Sequence, residues 1–159
     1  MAADTTKSLN SIGSGTLPDR GIDHESATDI DLGIDLGTTR TVVARADRGN
    51  YPVISFTDEH GDEHDFIPSL TALHEGTLVH GFAARQAAHQ GAPLLRSLKR
   101  VLASPTLTAS TPVRLGDCTF SVLEVLTSYL RHLETELADR GIDITRARVV
   151  VAVPAHAYG

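Results

Sequence analysis

From residue 29 onward the chain consists of short apolar runs separated by turn-forming residues. "DIDLGIDL" and "TVVARA" are apolar-rich and carry β-branched residues, which predicts two strands joined by a very short turn. "YPVISFTD" follows the Gly49-Asn50 turn signal and predicts a third strand, giving an antiparallel meander. "DEHGDEHDFIPS" reads as a polar loop ending at Pro68, and "LTALHEGTLVHG" as a hairpin turning at Glu75-Gly76. "FAARQAAHQ" predicts a helix closed by Gly91-Ala92-Pro93, and "LLRSLKRVL" a second, short amphipathic helix ended by Ser104-Pro105. "TLTASTPVRLGDCTF" is loop and strand.

The clearest helical pattern runs from Ser121 to about Arg140. Ser121 and Glu124 fit a capping box, Gly141 fits the stop, and Val122, Leu126, Tyr129, Leu130, Leu133 and Leu137 make one apolar stripe. "RARVVVAVP" is a continuous apolar run of the kind found in a parallel strand covered on both faces. The expected fold class is therefore α/β: three antiparallel strands plus a parallel one returning beside the first, with flanking helices. The chain stops at "VPAHAYG", just after a strand that should feed another helix, so a truncated piece of something longer is expected.

Composition narrows the field of functions. The 159 residues suit about one domain, and a net charge of −6 argues against non-specific nucleic-acid binding and against an anionic membrane surface. No apolar run reaches the roughly 20 residues of a membrane span, and no signal-type segment opens the chain, so a cytoplasmic location is expected. Residues 1–28 are rich in Ser, Thr, Gly and Asp without periodicity, and are read as a disordered leader before a partial nucleotide-binding domain at 29–159. The lone Cys118 excludes an intramolecular disulfide and is read as a small buried hydrophobe in a strand. His60 and His64 lack a third well-placed ligand and are assigned to a solvated turn.

One short stretch carries candidate chemistry. Asp35 sits between Ile34 and Leu36, one step before Gly37-Thr38-Thr39. A tight turn at a strand end points backbone N–H groups outward, Gly37 lets an anion approach closely, and Thr38 and Thr39 add hydroxyl donors. Asp35 could then hold a water of a magnesium ion, a metal that takes few carboxylates and keeps several waters. The alternative is that Asp35 caps the turn and the threonines are strand formers. Neither a Walker A loop nor a dinucleotide fingerprint is present.

"GIDLGTTRTVVA" resembles the first phosphate loop of the heat-shock seventy chaperones, the DnaK type. In the same order along the chain, "DFIPSLTAL", "LVHGFAARQAAHQGA", "SLKRVLASP", "FSVLEVLTSYLRHLETELAD" and "ARVVVAVPAHAYG" resemble later segments of that family. The resemblance covers residues 29–159 and implies the first lobe of an actin-like (ribonuclease H-like) ATPase fold. It implies ATP/ADP and Mg as cofactors, with Asp35 at the magnesium shell and Thr38 and Thr39 on the phosphates. Lys99 would stand by the γ-phosphate, and Pro154 would act as a nucleotide-state switch. Implied partners of the full-length protein are unfolded polypeptide clients, a J-domain protein and a nucleotide-exchange factor.

The departures are specific. Arg40 stands where the family has Asn, Tyr or Phe, and could reach the phosphates or obstruct them. The segment between Arg100 and Thr119 is short, and the tail differs from the family's Pro-Ala-Tyr-Phe-Asn-Asp. The full-length protein is expected to hydrolyse ATP, while the lobe alone is expected to be inactive and to bind ATP weakly or not at all, having half the contacts. Two rivals stand beside this reading: a non-catalytic regulatory or scaffold module, and a sugar-kinase or filament-forming relative on the same fold.

Overall fold

The computed structural model describes residues 30–152; the expected leader at 1–28 and the tail holding Pro154 lie outside the described residues. Strand β1 (Ile30–Leu36) buries Leu32, Ile34 and Leu36 on one face and turns Gly33 and Asp35 out on the other, the period of two that a pleated strand imposes. It pairs antiparallel with β2 (Arg40–Ala46), with Leu36 opposite Thr41.

The far edge of β2 has a divided partner. Near one end Val53 bridges Ala44, and the N–H of Ile54 donates to the carbonyl of Val43 at 2.8 Å. The expected third strand does not continue past Ile54: Pro52 can only accept, from the N–H of Arg45 at 3.0 Å, and the chain then turns away. Instead β3 (Phe56–Thr57) pairs with β4 (Glu63–His64), and β5 (Ile67–Pro68) meets Arg40 and Thr41 at the other end of β2. The loop between β3 and β4 is tied down by Asp58, which is not solvated. His64 and Arg85 bond its carboxylate at 2.9 and 3.0 Å, and the N–H groups of His60 and Asp62 donate to it. These contacts, His64 foremost, hold Asp58 well below the usual carboxylate range.

β6 (Thr71–His74) and β7 (Thr77–His80) form the expected hairpin, with Glu75 and Gly76 both left-handed (φ 50° and 79°), as a two-residue turn of this hand requires. Helix α1 (Gly81–His89) follows. The second predicted helix is shorter than expected: β8 (Leu94–Leu95) is drawn into pairing with Thr71 and Ala72, so α2 is confined to Leu98–Leu102, capped by Ser97. β9 (Pro112–Leu115) and β10 (Cys118–Ser121) make a hairpin in which Cys118 is exposed, not buried.

Helix α3 (Val122–Ala138) begins at the Ser121–Glu124 capping box. Its buried stripe is Val122, Val125, Tyr129, Leu133 and Leu137; Leu126 is half-buried at the margin and Leu130 is 40% exposed. The inclusion of Leu130 in the stripe is thus corrected, since it falls just outside the arc facing the sheet. Leu133 and Leu137 pack with Leu32, Ile34 and Val43, while Val122, Val125 and Tyr129 join a second cluster with Leu36 and Leu98. One helix therefore joins these two clusters. After a 3₁₀ turn (Ile144–Arg146), β11 (Ala147–Ala152) lies parallel to β1, giving a four-stranded mixed sheet in the order β11-β1-β2-β5.

β11 is not covered on both faces. Val149 and Val151 are partly exposed and Val150 is 64% exposed. On the sheet face opposite α3, Gly33, Asp35, Val42, Ala44, Val150 and Ala152 line an open groove of about 290 Å³.

The stripe makes a direct prediction. Leu133→Ala should cost about 2–5 kcal/mol in urea unfolding, whereas Leu130→Ala should cost under about 1 kcal/mol.

Candidate functional site

The β1–β2 corner is closed by backbone. The N–H of Gly37 is shared between the carbonyls of Asp35 and Arg40, each at 3.1 Å. A Cβ at Gly37 would lie 2.4 Å from the Arg40 oxygen, so the tightness of this turn admits only glycine. Thr38 and Thr39 are consequently held at the apex and exposed, and the carbonyl of Thr39 accepts from the N–H of Ser69 at 3.0 Å.

Behind the apex the corner is anchored to the interior. Thr41, fully buried at the start of β2, places its Oγ1 2.7 Å from the Tyr129 hydroxyl and 3.0 Å from Ser69 Oγ. Burial pushes the Tyr129 hydroxyl pKa up, partly offset by its bonds to Thr41 and Ser69. A second buried linkage runs alongside: Thr71 Oγ1 meets His80 Nδ1 at 3.0 Å, and His80 Nε2 meets Ser128 Oγ at 2.7 Å. The His80 ring packs edge-on to Tyr129 (5.5 Å between centroids) and near His132 (5.7 Å). Desolvation, with the nearby His132, pushes His80 down to about 4, and burial lowers His132 as well. Both rings are neutral at physiological pH.

Beside the apex lies a cleft of about 490 Å³. Thr38, Thr39, Arg96, Ser97 and Arg100 are its polar lining, over an apolar floor of Leu70, Leu95 and Val101. The structure therefore brings Thr38 and Thr39 together with the segment that carries Lys99, though not with that lysine's own side chain. Lys99 is half-buried in α2 and does not line the cleft. Asp35 is exposed on the open sheet face, in a separate groove, and among the described residues its carboxylate makes no hydrogen bond or ion pair. On this outward face the carboxylate keeps its hydration, and it does not cap the turn. Arg40 points elsewhere again, with its guanidinium 5.0 Å from the centre of the Phe66 ring.

Sequence reasoning passed over Arg96 and Arg100, whose signal was the cation spacing in "RSLKR", and over Tyr129, a lone hydroxyl in an aliphatic stripe. Among the described residues no group of three or more His, Cys, Asp or Glu is placed to hold a metal ion, and no helix is long and apolar enough to cross a membrane.

No family model matches the chain. Over 130 residues it is similar to a chaperone. The match, 27% identical, is to Chaperone protein DnaK of Mycoplasmopsis agalactiae, and it takes in 82% of this chain and 20% of that protein. The chain thus spans about a fifth of the length of the curated relative it matches.

Two outcomes check this geometry. Gly37→Ala should destabilise by about 1–3 kcal/mol in a thermal melt, since the added methyl must push the Arg40 carbonyl aside, while Gly33→Ala, with nothing within 4 Å of its Cβ, should be tolerated. His80 is neutral in the fold but protonates near its ordinary 6.5 when unfolded, so the unfolded chain binds more protons between those limits. Stability should therefore fall as pH drops from about 6.5 to about 4. In urea titrations across that window His80→Gln should flatten part of the slope.

Proposed function

We propose that the chain is the first, nucleotide-binding lobe of a heat-shock-seventy-like ATPase with the actin-like fold. The observation that carries this reading is the Gly37-closed corner presenting Thr38 and Thr39 to a cleft whose other polar side chains are cationic or hydroxylic. The match to DnaK across most of the chain supports it. So does the mixed sheet in which β11 returns parallel beside the corner-bearing strand.

The donor set fits the phosphates of ATP or ADP: hydroxyls and guanidiniums, with no carboxylate in the cleft. A magnesium ion bound with the nucleotide would neutralise phosphate charge, and the single uncommitted carboxylate of Asp35 suits a contact to its water shell rather than a full ligand set. Gly37 fixes the corner, Thr38 and Thr39 orient the phosphate chain, and Lys99 would bring its ammonium in by rotation about its flexible stem. In the whole protein, nucleotide state would control the grip on unfolded polypeptide in the cytoplasm, with a J-domain protein and an exchange factor as partners.

A second reading is a regulatory or scaffold module that keeps the fold without hydrolysis. The stacking of Arg40 on Phe66 and the position of Lys99 off the cleft wall favour it. Amide chemical shifts of the 159-residue chain, titrated with millimolar Mg-ATP, test the nucleotide reading. Shifts should concentrate at Gly37, Thr38 and Thr39 and saturate weakly, because one lobe supplies part of the enclosure. Unmoved amides at those positions would sink it.

A further inference from the structure

The cleft beside the corner carries more positive charge than one phosphate contact requires. Arg96 and Arg100 lie on its wall, and among the described residues neither guanidinium has an ion-pair partner; nor has the ammonium of Lys99 between them. Three other arginines are paired: Arg85 with Asp58 at 3.0 Å, Arg140 with Glu136 at 3.0 Å and Arg148 with Asp31 at 2.8 Å. In a chain of net charge −6, unpaired cations gathered on one concave wall create a local positive field that attracts and concentrates anions.

The backbone between the two arginines is fixed. Ser97 is buried, and its Oγ accepts the N–H of Arg100 at 3.2 Å. Opposite them stand the hydroxyls of Thr38 and Thr39, and the floor is apolar.

We infer that Arg96 and Arg100 clamp a polyphosphate anion against Thr38 and Thr39. The planar fork of a guanidinium matches two oxygens of a phosphate, and two such forks on one wall act together on an anion that spans them. A cavity of about 490 Å³ has room for a chain of phosphates rather than a single ion. The inference rests on the same corner as the nucleotide reading. It adds that arginines supply the cationic wall and that the phosphate chain, not the base, is what they grip. That chain could belong to a nucleoside triphosphate or to free inorganic polyphosphate.

The test is calorimetric titration of the 159-residue chain with inorganic tripolyphosphate and, separately, with Mg-ATP and a short polyglutamate peptide. Arg96→Ala and Arg100→Ala should each weaken tripolyphosphate binding roughly tenfold. Arg48→Ala, beyond the opposite end of β2, should leave it within about twofold, and wild-type affinity should fall with added salt. Equal losses in Arg48→Ala would mean diffuse charge attraction, and no tripolyphosphate binding would mean no clamp; either overturns the inference. Polyglutamate binding more tightly than tripolyphosphate through the same arginines would overturn it in favour of an acidic peptide. Mg-ATP shifts at Gly37–Thr39 that survive in both arginine variants would end the clamp and leave the nucleotide reading standing. Arginine-dependent tripolyphosphate binding without any Mg-ATP response would do the reverse, and would assign the site to free polyphosphate.

Discussion

The hydrogen bond between Thr41 and Tyr129 is the constraint on which the corner depends. Both side chains are inside the protein, where an unpaired hydroxyl costs the loss of its hydration, so each requires the other at bonding distance. Ser69 completes the set, and its N–H holds the carbonyl of Thr39 as well. Three elements are thereby fixed in mutual register: the start of β2, the chain leaving β5, and the middle of α3. A one-residue slip of β2 would turn Thr41 out of the interior and bury Arg40 in its place. The outward presentation of Thr38 and Thr39 follows from what lies behind them.

The same helix carries the load for the rest. Tyr129 belongs to the cluster around Leu36 and Leu98, and Leu133, one turn on, belongs to the cluster beneath β1 and β2. Ser128, beside Tyr129, bonds His80 and so ties the β6–β7 hairpin to that helix. The short α2, which brings Arg96, Ser97 and Arg100 to the cleft, packs through Leu98 on the Tyr129 cluster. The two walls of the cleft are thus positioned by a single helix that contributes no residue to the cleft lining.

How far the sequence disclosed this can be judged element by element. The capping box at Ser121, the hairpin at Glu75-Gly76 and the strand pair around Gly37 were all legible, because each is specified by residues within a few positions of one another. Failures came where distant partners decide. Leu94 and Leu95 fit a helix locally, yet the free edge of β6 takes them as a strand. "YPVISFTD" has strand composition, but Pro52 and the β3–β4 pairing divide it. Cys118 has strand neighbours and an exposed side chain, since a two-stranded hairpin has an outer face that composition does not mark. For the site, the corner itself was readable. Which cations face it was not, because adjacent residues on a short helix point in directions that differ by about 100° and only packing selects among them.

The bare face of the sheet sets a condition on anything that comes to lie there. β11 offers Arg148, Val150 and Ala152 to that face, whereas its neighbour β1 offers Asp31, Gly33 and Asp35 opposite them. Asp31 already has a bidentate partner in Arg148, at 2.8 Å for both contacts, although so exposed a pair contributes little to stability. Asp35 has none among the described residues. Covering Val150 would recover apolar burial, but covering Asp35 with it would strip a carboxylate of water without supplying a counter-charge, a cost well above that of one exposed valine. Any element packed on this face must therefore stop short of Asp35, bring a cation to it, or leave a hydrated gap at the end of β1. The third arrangement is compatible with a water-rich ion at the corner, and the position of Asp35 one step before Gly37 puts that gap beside Thr38 and Thr39.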